Sequence, residues 1–225
     1  MQEQMKHVLE QAARLQKLVP DAILVGGSAA SIYTEHRYSL DHDHVVSDLE
    51  SKFDLILEAL EREGDWVTNR LVYGKIILGE LGGIEAGIRQ LIRKKPLEFE
   101  RVKIDEFLLN LPTIEEILRI KAFLIVKRNQ MRDYLDFAAL CDKMGIDACV
   151  KVINSIDDYY TDESRNDKPV LSQLVRQLIE ANPKDKSNIK LLPNYKGTLE
   201  KWKDWDFIAE ICKKIAMKIM ENSDA

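Results

Sequence analysis

Cysteine is scarce in this chain: Cys141, Cys149 and Cys212 are the only three in 225 residues. They lack metal-ligand spacing and cannot all pair with one another, so neither a disulfide framework nor a zinc site organises the fold. Buried or half-buried free thiols in a reducing cytosol are expected, and with them a cytoplasmic location. Long apolar runs are missing as well. None approaches the roughly 20 residues that cross a bilayer, and the opening MQEQMKHVLEQ is polar and helical, not a secretory leader; no membrane partner is expected. There is no Walker-type phosphate loop and no internal repeat. Neither sign of charge dominates: 33 Lys and Arg against 38 Asp and Glu leave −5, which argues against a surface that coats nucleic acid along its whole extent. A local basic groove stays open, because Arg89, Arg93, Lys94, Lys95, Arg101 and Lys103 fall in one short run.

The most informative stretch is Asp21 to Val46, DAILVGGSAASIYTEHRYSLDHDHVV. Ala22 to Val25 reads as a short apolar strand, Gly26-Gly27-Ser28 as a tight turn, Ala29 to Glu35 as a short helix, and Asp41-His42-Asp43 as the opening of a second strand. Alternation along a strand puts Asp41 and Asp43 on one face. Neighbouring carboxylates repel unless a cation sits between them. Mg²⁺, a hard ion that takes oxygen ligands and keeps places for phosphate oxygens, suits the pair. The glycines let backbone N–H groups approach a phosphate, with the following helix N-terminus aimed at its charge. Together these features describe a metal-nucleotide site. His42 and His44 alternate away from the carboxylates and are expected to pack behind them.

The ordered set Gly26, Gly27, Ser28, Arg37, Ser39, Asp41 and Asp43 resembles the nucleotidyltransferase superfamily, and within it the AbiEii/AbiGii-like toxin nucleotidyltransferases. That family's pattern is an apolar strand, Gly-Gly-Ser/Thr, a short helix, then Arg-x-Ser-x-Asp-apolar-Asp-apolar. His42 and His44 stand where the family has apolar residues, which bears on the packing behind the site.

Along the rest of the chain, apolar spacing from Met5 to Leu18 predicts an amphipathic helix. Another follows from Leu49 to Leu60, with Asp48 or Ser51 as its cap. Strands are expected at 66–71, 75–81, 84–92 and 97–104. In the strand from Ile84, alternation places Glu85, Gly87 and Arg89 on one face. Superfamily members commonly present a third carboxylate from a neighbouring strand; Glu85 is the candidate, with Glu80 and Glu100 as rivals, and Arg89 is placed for phosphate. From Leu111 the pattern turns helical, with Thr113 and Glu116 as a capping box. The expected fold is α/β (α+β): a small mixed-sheet nucleotidyltransferase core over residues 1–110, and a mainly helical half over 111–225 packed on it.

A second resemblance lies in ILRIKAFLIVKRNQMRDYLDFAAL, where Lys121, Arg132, Asp133 and Asp136 match a Lys followed by Lys/Arg-Asp-x-x-Asp in the related toxins. Lys121 sits in an otherwise apolar helix and needs a partner, either a phosphate or one of the two Asp residues. Arg132 and Asp136, four apart, have the spacing of an ordinary ion pair. The resemblance implies a Mg²⁺-dependent enzyme that moves a nucleoside monophosphate from a nucleoside triphosphate to a hydroxyl. Asp41, Asp43 and Glu85 would hold the metal. Gly27 and Ser28 would hold phosphates, Arg37 would brace the site, and Lys121 would neutralise the triphosphate. It further implies RNA, in particular tRNA, a protein, or a small molecule such as an aminoglycoside as acceptor, and a cognate antitoxin as partner. A catalytically silent nucleotide-binding or protein-interaction relative, and a phosphohydrolase using the paired Asp, are the competing readings.

Overall fold

The computed structural model describes residues 3–93, 95–161 and 168–223. Lys94 of the basic run lies outside these. The chain forms two compact units.

The first unit comprises Met1–Ala29, Ser39–Ile92 and Pro96–Thr113. Helix α1 (Glu3–Leu18) buries Met5, Val8, Leu9, Ala12 and Leu15, the stripe its spacing predicts. Strands β1 (Ile23–Val25), β2 (Asp41–Val46), β3 (Trp66–Val72), β4 (Ile76–Leu81) and β5 (Ile84–Gln90) form one sheet in the order β1-β2-β5-β4-β3. Only the β2–β5 pairing is parallel. One face of the sheet is the core: Val46, Ile77, Leu81, Ala86 and Ile88 pack with Leu15 of α1 and with Leu49, Phe53 and Leu60 of helix α3 (Leu49–Glu61). Asp48 stands at the α3 N-cap position without a side-chain cap hydrogen bond; the Leu49 N–H donates instead to the Gln90 side chain at 2.8 Å.

Two elements differ from the sequence reading. Helix α2 (Gly26–Thr34) starts at Gly26, so the glycines are its first turn and no separate turn precedes it. Strand β7 (Phe107–Pro112), which pairs with β6 (Phe99–Ile104), was not expected. Its last four residues are all buried, against α1 and β1, and a strand covered on both faces loses the alternation by which strands are recognised. Asn110 pins it: its N–H donates to Gln16 Oε1 at 2.7 Å, and its side chain donates to the carbonyls of Pro20 and Ala22.

The second unit comprises Ala30–Tyr38, Arg93–Lys95 and Ile114–Ala225. It contains helices α4 (Ile114–Arg128), α5 (Met131–Met144), α6 (Ile146–Ile153), α7 (Val170–Glu180) and α8 (Trp205–Ser223), with three-ten segments at Ile156–Asp158, Lys186–Asn194 and Glu200–Lys203. Helix α6 ends at Ile153, ahead of the first of these. Trp202, Tyr134 and Phe137 are the largest fully buried aromatics described in this unit. The three cysteines are buried free thiols, and burial raises the pKa of Cys141 and Cys212, so they stay protonated and unreactive. No helix among the described residues is long and apolar enough to cross a membrane.

Candidate active site

The face of the sheet opposite the core carries the charged residues. Asp41, Asp43 and Val45 alternate onto it from β2, while His42, His44 and Val46 are buried on the other side. The parallel register sets Glu85 beside Asp41, Gly87 beside Asp43 and Arg89 beside Val45. Glu80 lies beside Glu85 on β4. An acidic row, Asp41–Glu85–Glu80, thus crosses three strands. Glu100 belongs to β6 in the separate two-stranded sheet and is not part of this row.

Two glycines border Asp43, and one of them, Gly87, makes room for it. Gly26 follows β1 with φ of +76°, a left-handed angle that costs glycine little. A Cβ there would lie 3.5 Å from the Asp43 Cβ and Oδ2. A Cβ on Gly87 would come 2.5 Å from Asp43 Oδ1. Both Asp side chains are held. Ser39 Oγ donates to Asp41 Oδ1 at 2.7 Å, and Arg89 Nε stands 3.6 Å from Asp43 Oδ1. Ser28 Oγ donates to the Asp41 carbonyl, tying the first turn of α2 to the start of β2. Gly26, Gly27 and Ser28 open α2, whose first N–H groups have no partner within the helix and carry its positive end.

This donor set fits Mg²⁺: two carboxylates offer hard oxygens on an open face, and the missing Cβ of Gly87 leaves Asp43 its space. Glu85 is in register with the pair, but among the described residues no group of three or more His, Cys, Asp or Glu is gathered closely enough to hold a metal. Behind the pair, the rings of His42 and His44 meet edge to face at 5.3 Å. Burial lowers the His42 pKa to about 4 against the pull of Asp41. Burial, with His42 adding to it, keeps His44 well below its ordinary value. Both are neutral packing residues, and all four of their ring nitrogens lack a hydrogen-bond partner.

The helical-half residues form their own cluster within the second unit. Asp136, fully buried, receives Arg37 in a two-pronged contact at 2.8 and 3.0 Å, His36 Nε2 at 2.7 Å and Lys121 Nζ at 2.6 Å. Burial would raise its carboxyl, but the charges of Arg37 and Lys121 and the His36 hydrogen bond hold it well below the usual range. Lys121 is also buried, and it lies 3.7 Å from Asp133. It has taken the Asp partner that its apolar helix demanded. Arg132 is exposed and does not make the pair its spacing allows; Arg128, five before Asp133, makes a two-pronged contact with that residue instead. Arg37, expected to brace the carboxylate site, is committed to Asp136. His36 escaped the sequence reading. Its only signal was its place beside Arg37, which says nothing of a carboxylate 100 positions later.

No family model matches the sequence. Solved structures do resemble it. A protein from H. pylori assigned as a nucleotidyltransferase superposes over 100% of this chain and 98% of its own, with a TM-score of 0.54 at 15% identity. ANT(2")-Ia, solved in complex with adenylyl-2"-tobramycin, covers 73% of this chain and 99% of its own, with a TM-score of 0.52 at 12% identity. The fold is that of the nucleotidyltransferases. At these identities the likeness concerns the fold alone. Among curated sequences, the mycolic acid-containing lipids exporter MmpL11 of Mycolicibacterium smegmatis is 30% identical over 132 residues, which is 58% of this chain and 13% of that protein. The heme uptake protein MmpL11 of Mycobacterium tuberculosis is 26% identical over 242 residues, 96% of this chain and 23% of that protein. The chain spans less than a quarter of the length of these relatives, and nothing of what the whole proteins do follows from it.

Proposed function

We infer that the chain is a nucleotidyltransferase that moves a nucleoside monophosphate from a nucleoside triphosphate to a hydroxyl acceptor, with Mg²⁺ as its cofactor. The observation that carries this reading is the placement of Asp41 and Asp43 on an open sheet face beside the glycine-opened start of α2, with Gly87 clearing space for the Asp43 carboxylate. Asp41 and Asp43, with Glu85 in register, are the residues that would hold the metal. When bound there, Mg²⁺ supplies charge neutralisation for the triphosphate and lowers the pKa of the attacking hydroxyl.

The chain's own residues do the positioning, which is where most of the catalysis of phosphoryl chemistry resides. The backbone at Gly27 and Ser28 holds the β- and γ-phosphates at the positive end of α2. Ser39 fixes the rotamer of Asp41. Arg89 holds Asp43 in the resting protein and turns to a phosphate oxygen when nucleotide enters. The Lys121–Asp136 cluster acts as a scaffold for its own unit, with Asp133 and Arg132 at its margin, rather than as a direct phosphate ligand.

The finer reading is a cytoplasmic enzyme of the AbiEii/AbiGii-like toxin type, with RNA or tRNA as acceptor and a cognate antitoxin as partner; it rests on the Gly-Gly-Ser and Arg-x-Ser-x-Asp-x-Asp resemblance. Two observations favour a second reading, a relative that binds nucleotide without turning it over: among the described residues no third acid has converged on the pair, and Lys121 is engaged by Asp136. Incubation with Mg²⁺ and each α-labelled NTP, with and without total RNA, separates the two. Label should enter RNA and be lost when Asp41 and Asp43 are changed to Asn. Nucleotide binding with no release of pyrophosphate would replace the transferase reading with the silent one.

A further inference from the structure

Two cavities of the first unit share a rim. The larger, of about 610 Å³, is lined by the aliphatic side chains of Ile23, Val45, Leu91 and Leu97 and by the half-exposed ring of Phe99. The smaller, of about 310 Å³, is lined by Ala13, Gln16 and Lys17 of α1 and by Leu108 of β7. Pro20, Arg101 and Asn110 line both. Strand alternation builds the junction. Phe99, Arg101 and Lys103 share one face of β6, and the antiparallel register sets Asn110 opposite Arg101 and Leu108 opposite Lys103. One ribbon face therefore carries a ring, two cations and an exposed leucine.

The charge at this junction is unbalanced. Arg101 Nε donates to Asn110 Oδ1 at 3.3 Å, and Asn110 is itself fixed by its donor bonds to Gln16, Pro20 and Ala22. The guanidinium is thus anchored through Nε. No carboxylate among the described residues pairs with it, with Lys17 or with Lys103. Asp21, the sole acid lining either cavity, is taken by Lys52 at 2.6 Å. In a chain of formal charge −5, three cations gathered without an acid form a local field for an anion.

The larger cavity sets the rest of the ligand. Beyond the junction, Ser47 is the sole polar side chain lining it that the described residues leave uncommitted. A nucleobase or a sugar placed there would give up water at several ring nitrogens or hydroxyls for one partner. An alkyl chain gives up nothing and gains by burial. Phe99 stands about 7 Å along the strand from Arg101, so a chain held by its head at Arg101 runs past Phe99 into the larger cavity. We propose that the joined cavities bind a medium-chain aliphatic carboxylate, its head on Arg101 and Lys17 and its alkyl chain along Phe99. The guanidinium fork matches a planar carboxylate, and Lys17 adds charge from the smaller cavity. This binding does not depend on the nucleotidyl-transfer reading.

Decanoate is the probe, titrated calorimetrically into the full chain below its micellar concentration, without NTP or Mg²⁺. Wild type should bind it saturably. Hexanoate should bind at least about tenfold more weakly, since each methylene taken from water is worth about fourfold in affinity. Arg101→Gln should weaken decanoate about tenfold, the worth of a charge-assisted hydrogen bond, and bring it level with decanol. Phe99→Ala should weaken it about threefold or more. Both side chains are exposed, so neither change threatens the fold. Decyltrimethylammonium binding as tightly as decanoate, either variant behaving as wild type, or no saturable binding at all would overturn the assignment. So would displacement of decanoate by ATP without Mg²⁺, which would give the cavity to the nucleotide. Preferred binding of an acidic, leucine-containing peptide would likewise overturn it and make this face a protein contact.

Discussion

Gly87→Ala separates the needs of the site from those of the fold. The added Cβ would lie 2.5 Å from Asp43 Oδ1 and 3.0 Å from Leu78 Cδ2, where ordinary contact begins near 3.4 Å. Leu78 yields by a few tenths of an ångström, but the Asp43 oxygen must withdraw by about 0.9 Å. A carboxylate at the end of a short side chain makes that move by rotating, so the fold is little affected. Overpacking costs roughly 1 kcal/mol, and loss of the glycine's backbone freedom in a strand returns about 0.5–1 kcal/mol. Tm should therefore stay within about 3 °C of wild type. The site is less forgiving, because a displacement of about 1 Å in a catalytic group costs on the order of 100-fold in rate. Pyrophosphate release under saturating NTP and Mg²⁺, read beside a thermal melt, checks both halves. A Gly87→Ala protein with wild-type kcat would refute the claim that Asp43 needs the space opposite Gly87, and would remove Asp43 from the reacting centre.

Changing Asp136 to Asn removes the buried anion that Arg37 and Lys121 share; breaking a buried pair of this kind costs roughly 3–5 kcal/mol, to be seen as a lower urea midpoint. His42→Leu removes a buried imidazole with no hydrogen-bond partner and should leave stability unchanged or raise it by about 1 kcal/mol, measured by thermal melting; a Tm lowered by several degrees would show that the ring has a partner after all. Asn110→Ala deletes two buried donors' bonds to the Pro20 and Ala22 carbonyls and should cost about 1–3 kcal/mol, read by urea denaturation of the first unit.

What the sequence by itself determined is local. Asp41 and Asp43 share a face because strand side chains alternate, and for the same reason His42 and His44 point into the core. The apolar strand, the glycines and the helix that follows are consecutive, so their geometry is legible from a few residues. Tertiary structure decided what depends on distant partners. The parallel register of β2 with β5 brings Glu85 beside Asp41 and Gly87 beside Asp43 across more than 40 positions, and no spacing rule specifies which of the candidate acids wins that place. Arg132 had the local spacing for Asp136, yet His36, Arg37 and Lys121 took it. A fully buried carboxylate binds the cations that packing brings to it, and an exposed neighbour one helical turn away cannot compete. Strand β7 was illegible for a related reason: buried on both faces, it lost the alternation that only a half-exposed strand displays.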